Sequence, residues 1–459
     1  MEFLLISIFI LGYLAIALEH TIKIDKASSA LILGVSLWTI VIMSAYQLIP
    51  AEQVDFRIFI EALKINGDIG QYAGMDEIKH AFVEHNLLEH VAEIAQILFF
   101  LIGAMAIVEV VDLHNGFSVI TDRIKTTNAV KLMWIIGILS FFLSAVLDNL
   151  TTTIVMISLL RKLIEDQHKR WVFAGIVVIS ANSGGAWSPI GDVTTTMLWI
   201  DGQISEKNIV FELILPSLVS MVVPLGILSF LLKGELKRPR IANIPSLQHH
   251  AVDVTKTQSK IIFYTGIAGL LFVPAFKIIT HLPPFMGMMF SLGVLWIVTE
   301  LLHKKNEHGH MLSVISGLRK VDMASVLFFL GILLAVGSLQ ITGILREMAL
   351  YLSTQVPDIN VMNIVIGFMS AIVDNVPLVA AAQGMFDIAP EGVYAQDGVF
   401  WNMLAYCAGT GGSMLIIGSA AGVAAMGIEK ISFGWYLKHM SWLAMLGYLA
   451  GAGVYILIQ

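Results

Sequence analysis

Two copies of an Asp-Asn pair, 226 residues apart, are the residues of this chain best suited to chemistry. Asp148 and Asn149 lie in the middle of one long apolar stretch, and Asp374 and Asn375 lie in the middle of another. A carboxylate is costly at membrane depth, and where one occurs it marks a functional site by default. The duplicated pair therefore predicts a transporter built from two repeats, with its site where the repeats meet.

The composition indicates that most of the chain lies in a lipid bilayer. Of 459 residues, 57% are apolar and 13% are charged, and the mean hydropathy is +0.82. A soluble chain of this length could not bury so much apolar surface, so we predict an all-α polytopic membrane protein. The single cysteine, Cys407, argues against a disulfide framework and against a thiolate metal site. No cofactor and no nucleic acid partner are expected.

The apolar runs of the chain locate the elements that must position the two acidic pairs. A membrane-spanning helix needs roughly 20 residues, and most of the runs fit one crossing. The runs lie at 3–18, 28–49, 91–111, 132–160, 171–200, 209–232, 261–279, 285–302, 321–345, 361–386, 399–428 and 434–458.

Two of these runs do not fit a single crossing. As one straight helix, residues 132–160 would extend about 44 Å, too long for a hydrocarbon core of about 30 Å and too short for two crossings. We predict a re-entrant helical hairpin there, with Asp148 near its tip. Residues 361–386 hold Asp374 at their centre, and Pro377 disfavours helix at the residue before it. A second re-entrant hairpin is therefore predicted at 361–386.

Each predicted hairpin is followed by an apolar run that small residues interrupt. Residues 183–192 interrupt the run 171–200, and residues 410–413 with Gly418 and Ser419 interrupt the run 399–428. Unwound backbone at membrane depth is tolerated where it lines a cavity, and freed carbonyls there can coordinate Na⁺ or H⁺. Close helix packing through small residues is the alternative reading of any one glycine. The pairing of the clusters favours two broken helices.

The loop charges divide the chain into two inverted repeats. The loops on one side of the predicted membrane carry 21 Lys and Arg residues, and those on the other side carry 5. The positive-inside rule makes the first side cytoplasmic and places both termini outside. Five crossings precede a basic cytoplasmic linker at 233–260, so the second half enters the membrane upside down. The predicted repeats are therefore 1–232 and 261–459, each with about five crossings, one hairpin and one broken helix.

The polar residues within the predicted core favour a small cation as the substrate. Asp148, Asp192 and Asp374 lie in the hairpins and broken helices, whereas no Lys or Arg lies in them. An anion site would need basic partners or helix amino termini free of carboxylates. Carboxylate, amide, hydroxyl and carbonyl oxygens suit hard ions such as Na⁺ or Li⁺. A site that takes either such an ion or a proton is sufficient for exchange.

At these residues the chain resembles the NhaD family of Na⁺/H⁺ antiporters, within the ion transporter superfamily. The resemblance covers nearly the whole chain. The anion symporters of that superfamily carry Ser-Asn-Thr at the hairpin tips, where this chain has Asp148-Asn149-Leu150, and this departure argues against dicarboxylate transport. The most specific segments are 144–153, 180–196, 370–377 and 409–418.

The resemblance implies a mechanism and a set of site residues. It implies a homodimer in a bacterial inner membrane, with scaffold helices at the dimer interface and a mobile domain that holds the hairpins. It implies elevator-type export of Na⁺ or Li⁺ driven by proton entry, chiefly at alkaline pH, and interfacial arm helices at 114–127 and 342–356. The ion-binding residues carried over are Asp148, Asn149, Asp374 and Asn375, with Thr151, Thr152, Ser183, Asp192 and Thr410 as neighbours.

Cation exchange has four alternatives. In the first, the aspartates only cap hairpin turns, and in the second the protein is an anion carrier of the same fold, for dicarboxylates or metalloid oxyanions. A membrane-embedded enzyme is disfavoured, because neither His-Glu-x-x-His nor Gly-x-Ser-x-Gly occurs near a membrane face. An open channel fits hairpins on opposite sides less well than alternating access does.

Two groups of histidines are assigned no chemistry. The run from His80 to Glu93 has helical spacing and is predicted to form a solvated interfacial helix on the outer side. His303, His308 and His310 lie in a short basic loop and are predicted to have no specific role.

Overall fold

Most of the described part of the chain is helical. The computed structural model describes every residue except 18, 67, 122–123, 233, 238–253, 305–308 and 373. Within that part there is no strand, only two isolated bridges, so the predicted all-α membrane fold is confirmed. Most of the predicted linker at 233–260, and His308, lie outside the described residues.

The helices follow the predicted apolar runs closely. The first twelve are α1 Glu2–Ala17, α2 Glu19–Ile22, α3 Lys26–Met43, α4 Ala45–Leu48, α5 Val54–Asn66, α6 Met75–Leu113, α7 Ser118–Thr121, α8 Ala129–Leu147, α9 Asn149–Leu163, α10 Gln167–Gly185, α11 Val193–Ile200 and α12 Glu206–Leu231. The next eleven are α13 Lys256–Thr280, α14 Pro284–His303, α15 Val314–Leu318, α16 Met323–Ile341, α17 Ile344–Gln355, α18 Ile359–Ile372, α19 Asn375–Met385, α20 Val399–Gly411, α21 Ala420–Glu429, α22 Phe433–His439 and α23 Ser441–Ile458.

Eight of the described helices are long and apolar enough to cross a membrane, or up to nine if one bent pair counts as a span. These eight are α3, α6, α8, α12, α13, α14, α16 and α23. Helix breaks occur in all four predicted places, between α8 and α9, α10 and α11, α18 and α19, and α20 and α21. The re-entrant placement of the first and third pairs in a membrane stays a prediction, as does the inverted repeat.

Helix α6 differs from the sequence prediction. A crossing at 91–111 and a separate outer helix over residues 80–93 were expected, but both belong to one helix of 39 residues. At 1.5 Å per residue this helix is about 58 Å long, well beyond a hydrocarbon core of about 30 Å. Its first half carries i,i+4 and i,i+3 pairs such as His85 with Glu89 at 3.2 Å and His90 with Glu93 at 3.4 Å. The polar run therefore continues the crossing helix rather than preceding it.

The predicted arm helices are only partly present as helices. The segment 342–356 contains α17, a twelve-residue amphipathic helix. In the segment 114–127 the described residues form only the four-residue helix α7.

The chain forms two compact units, each drawn from both predicted repeats. The first unit comprises 1–98, 322–358 and 380–387. Its main contact is α3 against α16, where the Trp38 indole donates to the carbonyl of Leu334 at 2.8 Å. The second unit comprises 99–321, 359–379 and 388–459, and it contains all the predicted site residues.

Equivalent contacts recur within the second unit. The Ser144 hydroxyl on α8 donates to the carbonyl of Ala181 on α10 at 2.6 Å. The Ser370 hydroxyl on α18 donates to the carbonyl of Ala408 on α20 at 2.8 Å. The members of these bonds are 226 and 227 residues apart. The same packing of a hairpin arm on a broken helix therefore occurs twice, which supports an internal repeat.

Loop contacts in the second unit agree with the grouping of loops by charge. The Glu165 amide donates to the carbonyl of Lys237 at 2.9 Å, and both residues belong to loops predicted to be cytoplasmic. The Ser205 hydroxyl donates to the carboxylate of Asp397 at 2.7 Å, and both belong to loops predicted to be outside. Which group faces the cytoplasm stays a prediction.

The sequence predicted that His303 lies in a short basic loop, and this prediction was wrong. His303 ends α14, is buried, and its Nε2 lies 2.9 Å from Nε2 of buried His114. His114 Nδ1 lies 2.7 Å from the carbonyl of Val110, which can only accept, so His114 Nε2 accepts from His303. Burial lowers the pKa of His114. The pair is a neutral contact that joins the end of α6 to the end of α14.

The close approach of α8 and α10 predicts the effect of one methyl group. A Cβ on Gly184 would overlap the backbone carbonyl of Phe141, whereas a Cβ on Gly226 in α12 would have nothing within 4 Å. We expect Gly184→Ala to lower stability by about 1–3 kcal/mol through overpacking. Gly226→Ala is the matched control and should unfold like the wild type. The unfolding midpoint of the detergent-solubilised protein measures both, and equal midpoints for the two variants would contradict this packing.

Candidate functional site

Asp148 forms the break between α8 and α9 in a strained conformation. Its φ of 87° and ψ of 162° lie in a region that is essentially confined to glycine and costs about 1–3 kcal/mol for other residues. Such strain persists where the surroundings enforce it, and it clusters at functional sites. One carboxylate oxygen accepts from the Thr151 amide at 2.7 Å, and the other accepts from the Thr151 hydroxyl at 2.8 Å.

Asp148 therefore does cap a helix, which is an alternative that the sequence left open. The cap uses only part of the hydrogen-bonding capacity of its carboxylate. A carboxylate offers about four lone-pair sites, and Thr151 occupies two of them. A turn also needs no aspartate in a conformation that favours glycine. Asp148 is thus held by its cap with acceptor capacity left over.

The second tip places an aspartate and an asparagine at the corresponding positions before a helix. Asp374 directly precedes α19, and its Oδ1 lies 3.5 Å from the Val376 amide. Asn375, the first residue of α19, is buried with 3% of its surface exposed.

Asp192 is the centre on which both tips converge. It caps α11 and is 1% exposed, and one of its oxygens accepts from the amide and the hydroxyl of Thr194, each at 3.0 Å. The other oxygen accepts from Asn149 Nδ2 at 2.5 Å. Asn375 Nδ2 lies 3.3 Å from both carboxylate oxygens. One buried carboxylate therefore bonds the amides that follow both acidic tips.

Asn182 extends this arrangement to the second broken helix. Its Oδ1 accepts from Asn149 Nδ2 at 3.1 Å, and its Nδ2 donates to the hydroxyls of Ser413 at 3.0 Å and Ser419 at 2.9 Å. Ser419 caps α21, as Asp192 caps α11. We call Asn149, Asn182, Asp192, Asn375 and Ser419 the polar hub.

Sequence reasoning missed Asn182 and ranked Asp192 only as a neighbour. Asn182 was visible in the sequence as an amide in an apolar helix immediately before the paired glycines of the break. Its role could not be read there, because its partners Ser413 and Ser419 are more than 230 residues away.

The other residues predicted as neighbours of the ion site do not contact the polar hub through their hydroxyl groups. The Ser183 hydroxyl lies 3.1 Å from that of Ser220, and the Thr410 hydroxyl donates to the carbonyl of Tyr406 on its own helix at 2.5 Å. Thr151 binds Asp148. The Thr152 hydroxyl is fully buried and has no hydrogen-bond partner among the described residues.

The electrostatics of the site demand a positive partner. Asp148 and Asp192 lie close enough for their charges to interact, and so do Asp192 and Asp374. Among the described residues, neither Asp148 nor Asp192 forms an ion pair with Lys, Arg or His. The amino termini of α9 and α11 compensate these charges only partly. Because an unpaired buried charge is very costly, a bound proton or cation would stabilise such a site.

Comparison with known proteins places the chain among ion transporters. The sequence model of the citrate transporter family, CitMHS, matches residues 13–406. The chain is 43% identical to sodium/proton antiporter 1 of Arabidopsis thaliana over 452 residues, which is 98% of this chain and 72% of that protein. It is 42% identical to sodium/proton antiporter 2 of the same plant, covering 98% of both chains. It is 28% identical to the Na⁺/H⁺ antiporter NhaD of Vibrio cholerae, over 98% of this chain and 91% of that protein.

The convergence on Asp192 predicts that its charge governs cation binding. Asp192→Asn keeps a helix-capping side chain but removes the charge, and we expect an apparent affinity for Na⁺ about 10–100-fold weaker. The measurement is the rise in unfolding temperature that NaCl produces in the purified protein beyond that of choline chloride.

Asp166→Asn is the control for the capping role. Asp166 caps α10 through the Lys169 amide at 2.8 Å and is exposed, so its neutralisation should leave the response to NaCl unchanged. A wild-type response to NaCl in Asp192→Asn would place the site elsewhere.

Proposed function

We propose that this protein exchanges Na⁺ for H⁺ across its membrane. The premise is that the chain belongs to the citrate transporter (CitMHS) family and is an NhaD-type Na⁺/H⁺ antiporter within it. The observation that carries the proposal is the polar hub, in which one buried carboxylate joins both Asp-Asn tips and forms no ion pair with the part of the chain that the structure describes. Its relatives from Arabidopsis thaliana and Vibrio cholerae are named as Na⁺/H⁺ antiporters.

The proposed exchange follows because either a proton or a Na⁺ ion can neutralise the acidic groups of the site. Binding one therefore favours release of the other. Asn149 and Asn375 hold Asp192 through their N–H groups and also carry carbonyl oxygens, which are suitable ligands for a hard cation. The proposal includes the Asp148 and Asp374 carboxylates and the Thr152 hydroxyl as further oxygen ligands.

The name of the family raises a second candidate, an anion carrier for citrate or a related carboxylate. Such a substrate would bring up to three negative charges to a site that already has three aspartates. Anion sites use Arg, Lys or helix amino termini, but here Asp148, Asp192 and Ser419 occupy the amino-terminal caps. The cation is therefore the better-supported substrate.

The finer features of the proposal rest on the resemblance to NhaD proteins. We include in it transport of Li⁺, a homodimer, and elevator-type movement of the hairpins with their broken helices. In a bacterial host the membrane would be the inner membrane. The loop charges support an orientation with both termini outside.

Everted membrane vesicles with a preformed proton gradient and a pH-sensitive dye test the proposal. NaCl or LiCl, but not choline chloride, should collapse the gradient when the wild-type protein is present. Asp148→Asn and Asp374→Asn should abolish the response, because each removes one of the charges that the cation and the proton share.

The matched control is Asp25→Asn. Asp25 caps α3 through the Ala27 amide at 2.8 Å and lies outside the polar hub, so this variant should exchange like the wild type. Full activity of Asp148→Asn or Asp374→Asn would refute the assignment of that residue. No response of the wild type to Na⁺, Li⁺ or K⁺ at any alkaline pH would favour the anion carrier instead.

A further inference from the structure

A second charged cluster lies at the opposite ends of the helices that carry the polar hub. Glu429, the last residue of α21, is 1% exposed. One of its carboxylate oxygens accepts from Arg161 Nε at 2.7 Å, and the other accepts from Arg170 Nε at 3.1 Å. We call these three residues the clamp. Arg161 lies near the end of α9 and Arg170 near the start of α10, so the clamp joins three helices.

The last backbone carbonyls of α21 also have hydrogen-bond donors from α9 and α10. The carbonyl of Glu429 accepts from the Trp171 indole at 2.9 Å and from the Gln167 amide at 3.4 Å. A second guanidinium nitrogen of Arg161 donates to the carbonyl of Ile428. The last carbonyls of a helix have no partner within it, and cations are favourable there. The end of α21 is therefore bonded to α9 and α10 through backbone and side chain together.

The same three helices carry the polar hub at their other ends. Asn149 begins α9, Asn182 lies near the end of α10, and Ser419 caps α21. In each helix the hub residue and the clamp residue are separated by ten to twelve residues, or about 15–18 Å along the axis. The helices α9, α10 and α21 also contact one another along their lengths. The helices α9, α10 and α21 are thus joined by polar side-chain contacts near both of their ends.

We propose that Glu429 is a positioning residue for the cation site, because its clamp on Arg161 and Arg170 sets the register in which α9, α10 and α21 present Asn149, Asn182 and Ser419. This inference rests on the proposed function, which supplies Na⁺ as the transported ion. The joining of the helices does not depend on which ion is transported. Loss of the clamp would let α9 shift along α10 and α21. The polar hub, which depends on bonds among all three, would then bind its cation less well.

The first test replaces Glu429 with Gln, which keeps the shape of the side chain and removes the charge that both arginines contact. We expect the apparent KM for Na⁺ in vesicle exchange to rise about tenfold, as for loss of a partner that orients a metal ligand. The maximal rate per inserted transporter should change less. Hydrogen–deuterium exchange over residues 149–156 should be faster in the variant. These residues form the first half of α9, whereas Glu429 contacts Arg161 near the other end of that helix.

Two further variants make the test decisive. Glu165→Gln is the matched control, since Glu165 is an exposed carboxylate beside the clamp that contributes only its backbone carbonyl, to Arg170. It should keep the wild-type KM and hydrogen exchange. Arg161→Gln removes a partner whose side chain is 49% exposed, so the fold should tolerate it, and it should raise the KM in the same direction. If Glu429→Gln does not accumulate, Arg161→Gln carries the test.

The outcomes separate the inference from the proposed function. Wild-type KM and wild-type hydrogen exchange over 149–156 in Glu429→Gln and Arg161→Gln would overturn the positioning role, even if both variants unfold at lower temperature. If the wild-type protein shows no Na⁺/H⁺ exchange, the proposed function fails, and hydrogen exchange alone decides the role of the clamp. Faster exchange in both variants would then still support it, and unchanged exchange would overturn it.

Discussion

The structure depends on the placement of acidic groups close to one another around a buried carboxylate. Asp192 is 1% exposed, interacts electrostatically with Asp148 and Asp374, and forms no ion pair among the described residues. Such charges are tolerable only when a proton or a cation joins them. This single constraint accounts for the proposed exchange, because it makes occupancy by one positive species or the other a condition of the folded state.

The broken helices are the means by which the chain meets this constraint. Helix amino termini carry unsatisfied N–H groups and a partial positive charge, and this chain brings three of them together at Asp148, Asp192 and Ser419. Asn149 and Asn182 then join these caps into one network. A continuous helix could not supply such ends at membrane depth, so the Gly-rich breaks and the strained Asp148 are requirements of the site rather than irregularities.

Much of the fold and the outline of the site could be predicted from sequence, because both rest on local signals. Hydropathy located the helices, and the positions of Asp148, Asp374 and the Gly clusters located all four breaks. The centre of the site could not be predicted in the same way. Asp192 and Asn182 gain their roles from partners far away in sequence, and no spacing rule reports such contacts. The burial of His303 and the length of α6 were missed because a charged or polar run does not reveal what packs against it.

The central claim is that Na⁺ and protons compete for one set of buried carboxylates, and titration calorimetry of the purified protein with NaCl tests it most directly. Titrations in two buffers of different ionisation enthalpy report the number of protons released per Na⁺ bound. The account predicts proton release on binding, and an apparent Na⁺ affinity that weakens as the pH falls. Na⁺ binding with no proton release and with the same affinity across the pH range would contradict it.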